Sequence, residues 1–169
     1  MAIDYRITLD DAHEFSYRIE LDREYDAQAA SLAPKWTRLE YQQCSNCPLS
    51  KDHFSHCPAA VDLHRVIEDF HGLPAFKKVV VWVQTPEREY SKQVGLEEGL
   101  RSLLGVIMAT SACPMLGRLK PMAHNHLPFA SSHEFALRAV SLYLTQQYFN
   151  FREGRPPDWE LKGLVTQFQ

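Results

Sequence analysis

With 169 residues and 45% hydrophobic content, the chain can bury the core of one domain, or of a small lobe beside a larger one. A net charge of −3 and a pI near 6.2, with no run of Lys or Arg, give no long-range attraction to nucleic acid. No apolar stretch reaches the about 20 residues that span a membrane, and Met-Ala-Ile-Asp-Tyr lacks the basic-then-apolar pattern of a signal peptide, so the expectation is a cytoplasmic protein whose thiols stay reduced.

Ile3, Tyr5, Ile7 and Leu9 alternate with Asp4, Arg6 and Thr8, the pattern of a half-buried strand. A polar turn from Asp10 to His13 leads to a second alternation of Phe15, Tyr17, Ile19 and Leu21, which predicts a hairpin. Residues 22–34 are polar and alanine-rich, a loop with some helical turn. Trp36 to Tyr41 reads as a third strand with Thr37, Leu39 and Tyr41 on one face. Further on, Ala59, Ala60, Leu63, Val66, Ile67 and Phe70 share one helical face, with Pro58 at the first helical position, Gly72 just past the end and Cys57 as N-cap. Lys78 to Gln84 is β-branched and aromatic, a central strand. Thr85-Pro86-Glu87 turns the chain into a polar partner strand over 88–94.

Leu96, Leu100, Leu103, Leu104, Ile107 and Met108 form the apolar stripe of a helix ending near Cys113. Residues 115–130 read as a long connection with Pro121 and Pro128. Ser131 and Glu134 have capping-box spacing and open a further helix. Its apolar residues, from Phe135 to Phe149, occupy most of the circumference. It is therefore expected to be the most buried helix, and it leaves room for a homodimer interface. Gly154 and Pro156-Pro157 end it, and Leu161, Leu164, Val165 and Phe168 give a short final helix.

Strands, a helix, strands and then helices predict an α+β fold: an antiparallel sheet from the N-terminal and central hairpins, covered by the helix after the cysteines and a C-terminal helical pair. The expectation is a single domain over 1–169, with a sheet-rich lobe at about 1–94 and a helical lobe at about 95–169. Neither regular βαβ alternation nor a Gly-rich phosphate loop is present, which argues against a doubly wound sheet and the standard nucleotide enzymes.

The strongest chemical signal lies between Cys44 and Pro58, which holds three of the four cysteines. Cys44-Ser-Asn-Cys47 is a knuckle that puts two sulfurs on one metal ion, and Cys57 supplies a third. Zinc takes four such ligands in a tetrahedron. Cys57, at the head of a helix, gains from the free N–H groups there as a thiolate. Cys113 is the favoured fourth ligand, with His53 and His56 as alternatives. A helix C-terminus disfavours a thiolate at Cys113 unless Pro114 starts a new turn. The same sulfurs suit an iron–sulfur cluster, although the spacing is not the ferredoxin one. Buried free thiols are the plain alternative. His124 and His126 are weaker metal candidates, and a solvated or hydrogen-bonded loop pair is the commoner fate of such residues.

Cys44-Ser-Asn-Cys47-Pro-Leu, His56-Cys57-Pro-Ala-Ala, the Cys113-Pro site after Leu-Leu-Gly-Val-Ile-Met-Ala-Thr-Ser-Ala, and His126-Leu-Pro-Phe-Ala together resemble an uncharacterised family of bacterial proteins, a domain of unknown function. The resemblance spans nearly the whole chain and implies that these motifs form one constellation, with no activity attached. The expected function is a metal-binding module with a structural or regulatory zinc site on Cys44, Cys47, Cys57 and Cys113, and no open position for catalysis. The alternatives are an iron–sulfur redox or sensor protein, and a thiol-dependent enzyme using Cys57 or Cys113 with a histidine.

Overall fold

The computed structural model describes residues 1–10 and 13–167, so Asp11 and Ala12 of the expected turn and Phe168 of the final helix lie outside the described residues. Strand β1 (Ala2–Asp10) pairs antiparallel with β2 (His13–Glu20), setting Ile3 opposite Ile19 and Tyr5 opposite Tyr17. On its other side β1 pairs with β3 (Lys78–Gln84), which pairs in turn with β4 (Glu89–Gly95). The sheet order is β2-β1-β3-β4, antiparallel throughout. Period-2 alternation sends Ile3, Tyr5, Ile7, Val79, Val81 and Val83 to one face, where all six are buried. The opposite face is polar: Arg18 pairs with Asp4 at 3.0 Å, and the Arg6 guanidinium lies 3.8 Å from the Trp82 ring centre.

Helices α2 (Pro58–Phe70) and α3 (Leu96–Thr110) cover the apolar face. Phe70 meets the rings of Phe15 at 4.7 Å and Tyr17 at 6.3 Å, and the Tyr17 hydroxyl donates to Asp69 at 2.6 Å. Gly72, just past α2, has φ +81°, a conformation that favours glycine. α3 packs on β2, β3 and β4. Gly99 lets it approach, since a Cβ there would stand 2.8 Å from Val81 Cγ2.

Arg23 ties the two helices together. One of its nitrogens stands 3.2 Å from the Asp62 carboxylate of α2. The other donates to the Ile107 carbonyl at 2.6 Å and the Thr110 hydroxyl at 2.9 Å, in the last turn of α3. The head of α2 therefore lies beside the tail of α3.

Three expectations are corrected. Residues 36–41 do not form a strand. The Pro34 carbonyl accepts from the Thr37 amide at 2.9 Å and hydroxyl at 2.7 Å, which winds Lys35–Thr37 into a 3₁₀ turn and leaves one bridge, Arg38 to His56. The connection over 115–130 is not all irregular: it holds a 3₁₀ turn, Leu116–Leu119, and helix α4 (Lys120–His124), with Pro121 in the first turn, where its missing N–H removes no helical bond. The segment at 22–34 does contain a helical piece, α1 (Ala27–Leu32), capped by Asp26 Oδ1, which accepts from the Gln28 and Ala29 amides.

The described chain divides into two compact units, 1–128 and 129–169. The second is built on α5 (Ser132–Arg152) and α6 (Lys162–Gln167). Its capping box is formed: Ser131 Oγ accepts from the Glu134 amide at 3.2 Å, and Glu134 Oε2 accepts from the Ser131 amide at 2.8 Å. Gly154, at φ +76°, follows the helix. Asp158 links the return segment to α5, donating its amide to Gln147 and accepting from the Tyr143 hydroxyl and the Gly163 amide. The third correction is here. α3 buries Leu96, Leu103, Val106 and Ile107, whereas α5 fully buries Ala139 and Gln147 and leaves Leu137 and Phe151 open. Apolar residues all round a helix give burial only where something packs on each side.

Candidate thiol site

The cysteine loop is closed at its base by backbone bonds. The Leu39 amide donates to the Ser55 carbonyl at 3.1 Å and the Cys57 amide to the Thr37 carbonyl at 2.8 Å, on either side of the Arg38–His56 bridge. Inside the loop the Cys47 amide donates to the Cys44 carbonyl at 3.0 Å, so the first two thiols ride on one turn. Gln43 Nε2 donates to the Leu49 carbonyl at 2.9 Å. The Ser50 carbonyl accepts from the His53 and Phe54 amides, and Phe54 packs edge-on against Tyr25 at 5.0 Å.

Cys57 is the N-cap of α2, with extended backbone and its carbonyl accepting from the Val61 amide. Its thiol makes no cap hydrogen bond of regular geometry. Burial raises its pKa above the ordinary 9.0; the nearby amides of Ala60 and Ala59 oppose the rise, and the thiols of Cys113 and Cys44 add to it. Cys57 is therefore a protonated thiol at neutral pH.

Cys113 lies two residues beyond Ser111, the C-cap of α3, and its amide donates to Ser111 Oγ at 3.3 Å. Its carbonyl accepts from the Gly117 amide at 2.8 Å, so Pro114 does start a new helical turn. The objection from the negative end of α3 thus falls away.

The Arg23 link accounts for Cys57 and Cys113 lying within electrostatic reach of each other. It holds the head of α2, with Cys57, beside the tail of α3, after which Cys113 follows. Cys44 also lies within electrostatic reach of Cys57, and Cys47 is tied to Cys44 by the turn. All four thiols are free; Cys44 is exposed and the other three half-buried. Among the described residues no group of three or more His, Cys, Asp or Glu side chains is placed to hold a metal ion. Charge acts beyond contact, whereas sulfurs sharing one zinc at about 2.3 Å each stand about 3.8 Å apart. The donor chemistry fits a soft metal; the spacing is wider than a closed site.

The histidines are dispersed. His53 is exposed. His56 is buried, with Nδ1 2.9 Å from Ser55 Oγ, and lines a cleft of about 260 Å³ with Arg38 and Lys51. His124 Nε2 lies 3.8 Å from Asp22, and His126 Nε2 lies 2.5 Å from the Tyr5 hydroxyl, so the two imidazoles face different partners.

Two groups carry more than their sequence context indicates. Tyr5 is fully buried, and its hydroxyl bonds both His126 and, at 2.8 Å, Ser102. Burial outweighs the Ser102 bond and keeps that hydroxyl protonated. A tyrosine amid Ile3 and Ile7 is a usable signal, because a buried hydroxyl needs partners. Arg23, between Asp22 and Glu24, carries no such signal.

The model of a family described as a domain of unknown function, DUF6901, matches residues 3–169. No curated protein and no solved structure matches the chain.

Proposed function

The chain belongs to the DUF6901 family, and on that premise we propose that its four cysteines form a thiolate site for a soft metal ion, zinc first. The observation that supports the reading is the Arg23 link, which joins the head of α2, capped by Cys57, to the tail of α3, which Cys113 follows, with Cys113 and Cys44 in electrostatic reach of Cys57. Burial first, and then the neighbouring thiols Cys113 and Cys44, raise the Cys57 pKa, an arrangement that a dication reverses, since ligating thiols deprotonate outright. Cys44, Cys47, Cys57 and Cys113 would hold the ion, and its binding would release their protons. Four sulfurs complete a tetrahedron and leave no position for water, so the role is structural or regulatory. A reducing, cytoplasmic setting belongs to the same proposal, because it keeps all four thiols available.

The test is elemental analysis with a visible spectrum, on untagged protein purified without oxygen. The expected result is about one zinc per chain, no colour, and loss of the metal in Cys57→Ser and Cys113→Ser. Zinc retained in Cys113→Ser moves the fourth ligand to His53 or His56. Iron with sulfide and a broad band near about 400 nm replaces zinc by an iron–sulfur cluster. No metal after equilibration with zinc sinks the proposal.

A second reading has one observation in its favour, the lack of a metal-holding group among the described residues. It is a thiol enzyme using Cys57 or Cys113 with a histidine. Cys57 starts from a raised pKa, the reverse of an activated nucleophile, which ranks this reading lower.

A further inference from the structure

α5 carries a row of apolar side chains standing open. Leu137, Tyr148 and Phe151 are exposed, at 58%, 47% and 59%, and Val140 and Leu144 between them are half-buried. The intervals along this row are three, four, four and three residues. At 3.6 residues per turn the five positions fall within about 80° of arc and span about 21 Å of helix. Steps of three and four keep the row on one face of the helix, against which a second helix can pack.

The charges beside the row select the occupant. Glu134 and Arg152 are separated by eighteen residues, five full turns, so they lie on one line along the same flank of the row. Glu134 is fixed at the helix start by its capping bonds to Ser131. Arg152 is held at the helix end beside the row by its bond to the Tyr148 hydroxyl at 3.0 Å. The midpoint between the two charges is Tyr143, and the midpoint of the row is Leu144. A two-fold axis there, perpendicular to the helix, superposes row on row and sets Glu134 of each copy opposite Arg152 of the other. A parallel two-fold pair would instead put the two flanks on opposite sides of the seam, where these charges do not meet. We infer that the Leu137–Phe151 row of α5 is the interface of an antiparallel, two-fold dimer of this chain. The inference is independent of the thiol site.

Sedimentation of the full chain over a range of concentrations tests it. The wild type is expected in monomer–dimer equilibrium. Leu137→Ser with Phe151→Ser, at positions open in the monomer, gives a monomer with unchanged helicity by circular dichroism. Arg152→Glu turns two attractions into two repulsions and weakens the dimer by about tenfold. Glu134→Arg with Arg152→Glu restores it to within about threefold of wild type. Glu134→Gln keeps the capping pattern and loses only the charge, so its smaller effect separates pairing from helix fraying. A wild type that stays monomeric, a dimer indifferent to Leu137→Ser with Phe151→Ser, or a double charge reversal no tighter than Arg152→Glu alone in a helical protein overturns the inference.

Discussion

Arg23 joins the helices next to which two of the four cysteines stand. Its guanidinium is largely buried, its Nε has no hydrogen-bond partner among the described residues, and its other nitrogens serve two helices at once. Arg23→Met should cost about 2–3 kcal/mol in urea unfolding, because it strands Asp62 and uncaps α3; residual exposure of both side chains keeps the loss at the low end for a broken buried pair. The same variant should lower zinc occupancy by loosening Cys57 from Cys113. The carboxylates respond to acid with opposite signs. Burial outweighs Arg23 and raises the Asp62 pKa, so its ionisation costs stability at neutral pH, and that cost is relieved as pH falls through its raised folded value toward 3.8. Asp158 is lowered, first by the Gly163 amide and then by the Tyr143 hydroxyl. Its contribution is therefore complete above its ordinary 3.8 and is lost as pH falls through the lower folded value. Trp159 fluorescence should report that loss below pH 3.8, and Tyr143→Phe should move the midpoint upward. An acid profile unchanged by Tyr143→Phe would separate Tyr143 from this transition.

At the scale of elements, α3 against the sheet is the contact with the least slack. Gly99→Ala puts a methyl 2.8 Å from Val81 Cγ2, and the helix must lift or the valine must move, at about 1–3 kcal/mol. Thermal unfolding reads this directly, since alanine's better helix propensity works the other way. The strands were legible because Ile3 to Leu9 and Phe15 to Leu21 alternate strictly, and one-sided burial enforces such a pattern. Lys78 to Gln84 was legible from its β-branched content. The segment at Trp36 to Tyr41 misled because three alternating residues weigh less than one turn closed by Pro34. α5 misled because its composition counts apolar residues without saying what faces them. Of the proposed thiol site, the sequence made legible the residue types and the Cys44–Cys47 turn. Cys113 was readable only as one option among several, since its place depends on Arg23, a residue with ordinary polar neighbours.

For the whole molecule, a bound metal becomes a stability term. Zinc at about a hundredfold above its Kd should add about 2.7 kcal/mol, seen as a saturable rise in Tm that EDTA reverses. Without metal, thiol labelling should mark Cys44 first, as the exposed thiol, and Cys57 late, as a protonated one. Equal labelling rates at the two positions would contradict the burial of Cys57. No helix among the described residues is long and apolar enough to cross a membrane. The sheet order has one more consequence, which concerns time. β1 lies between β2 and β3, and its second partnership sets Asp4 opposite Gln84 and Thr8 opposite Val80. The β1–β2 hairpin can close within twenty residues of chain, but β1 keeps one bare edge until β3 arrives, after the cysteine loop and α2 have been laid down between them. Closing so long an interval pays its chain entropy before the pairing repays it. The step that docks β3 on β1 should therefore limit the folding rate, and substitutions at Val81 or Val83 should slow refolding where those at Ile19 mainly hasten unfolding.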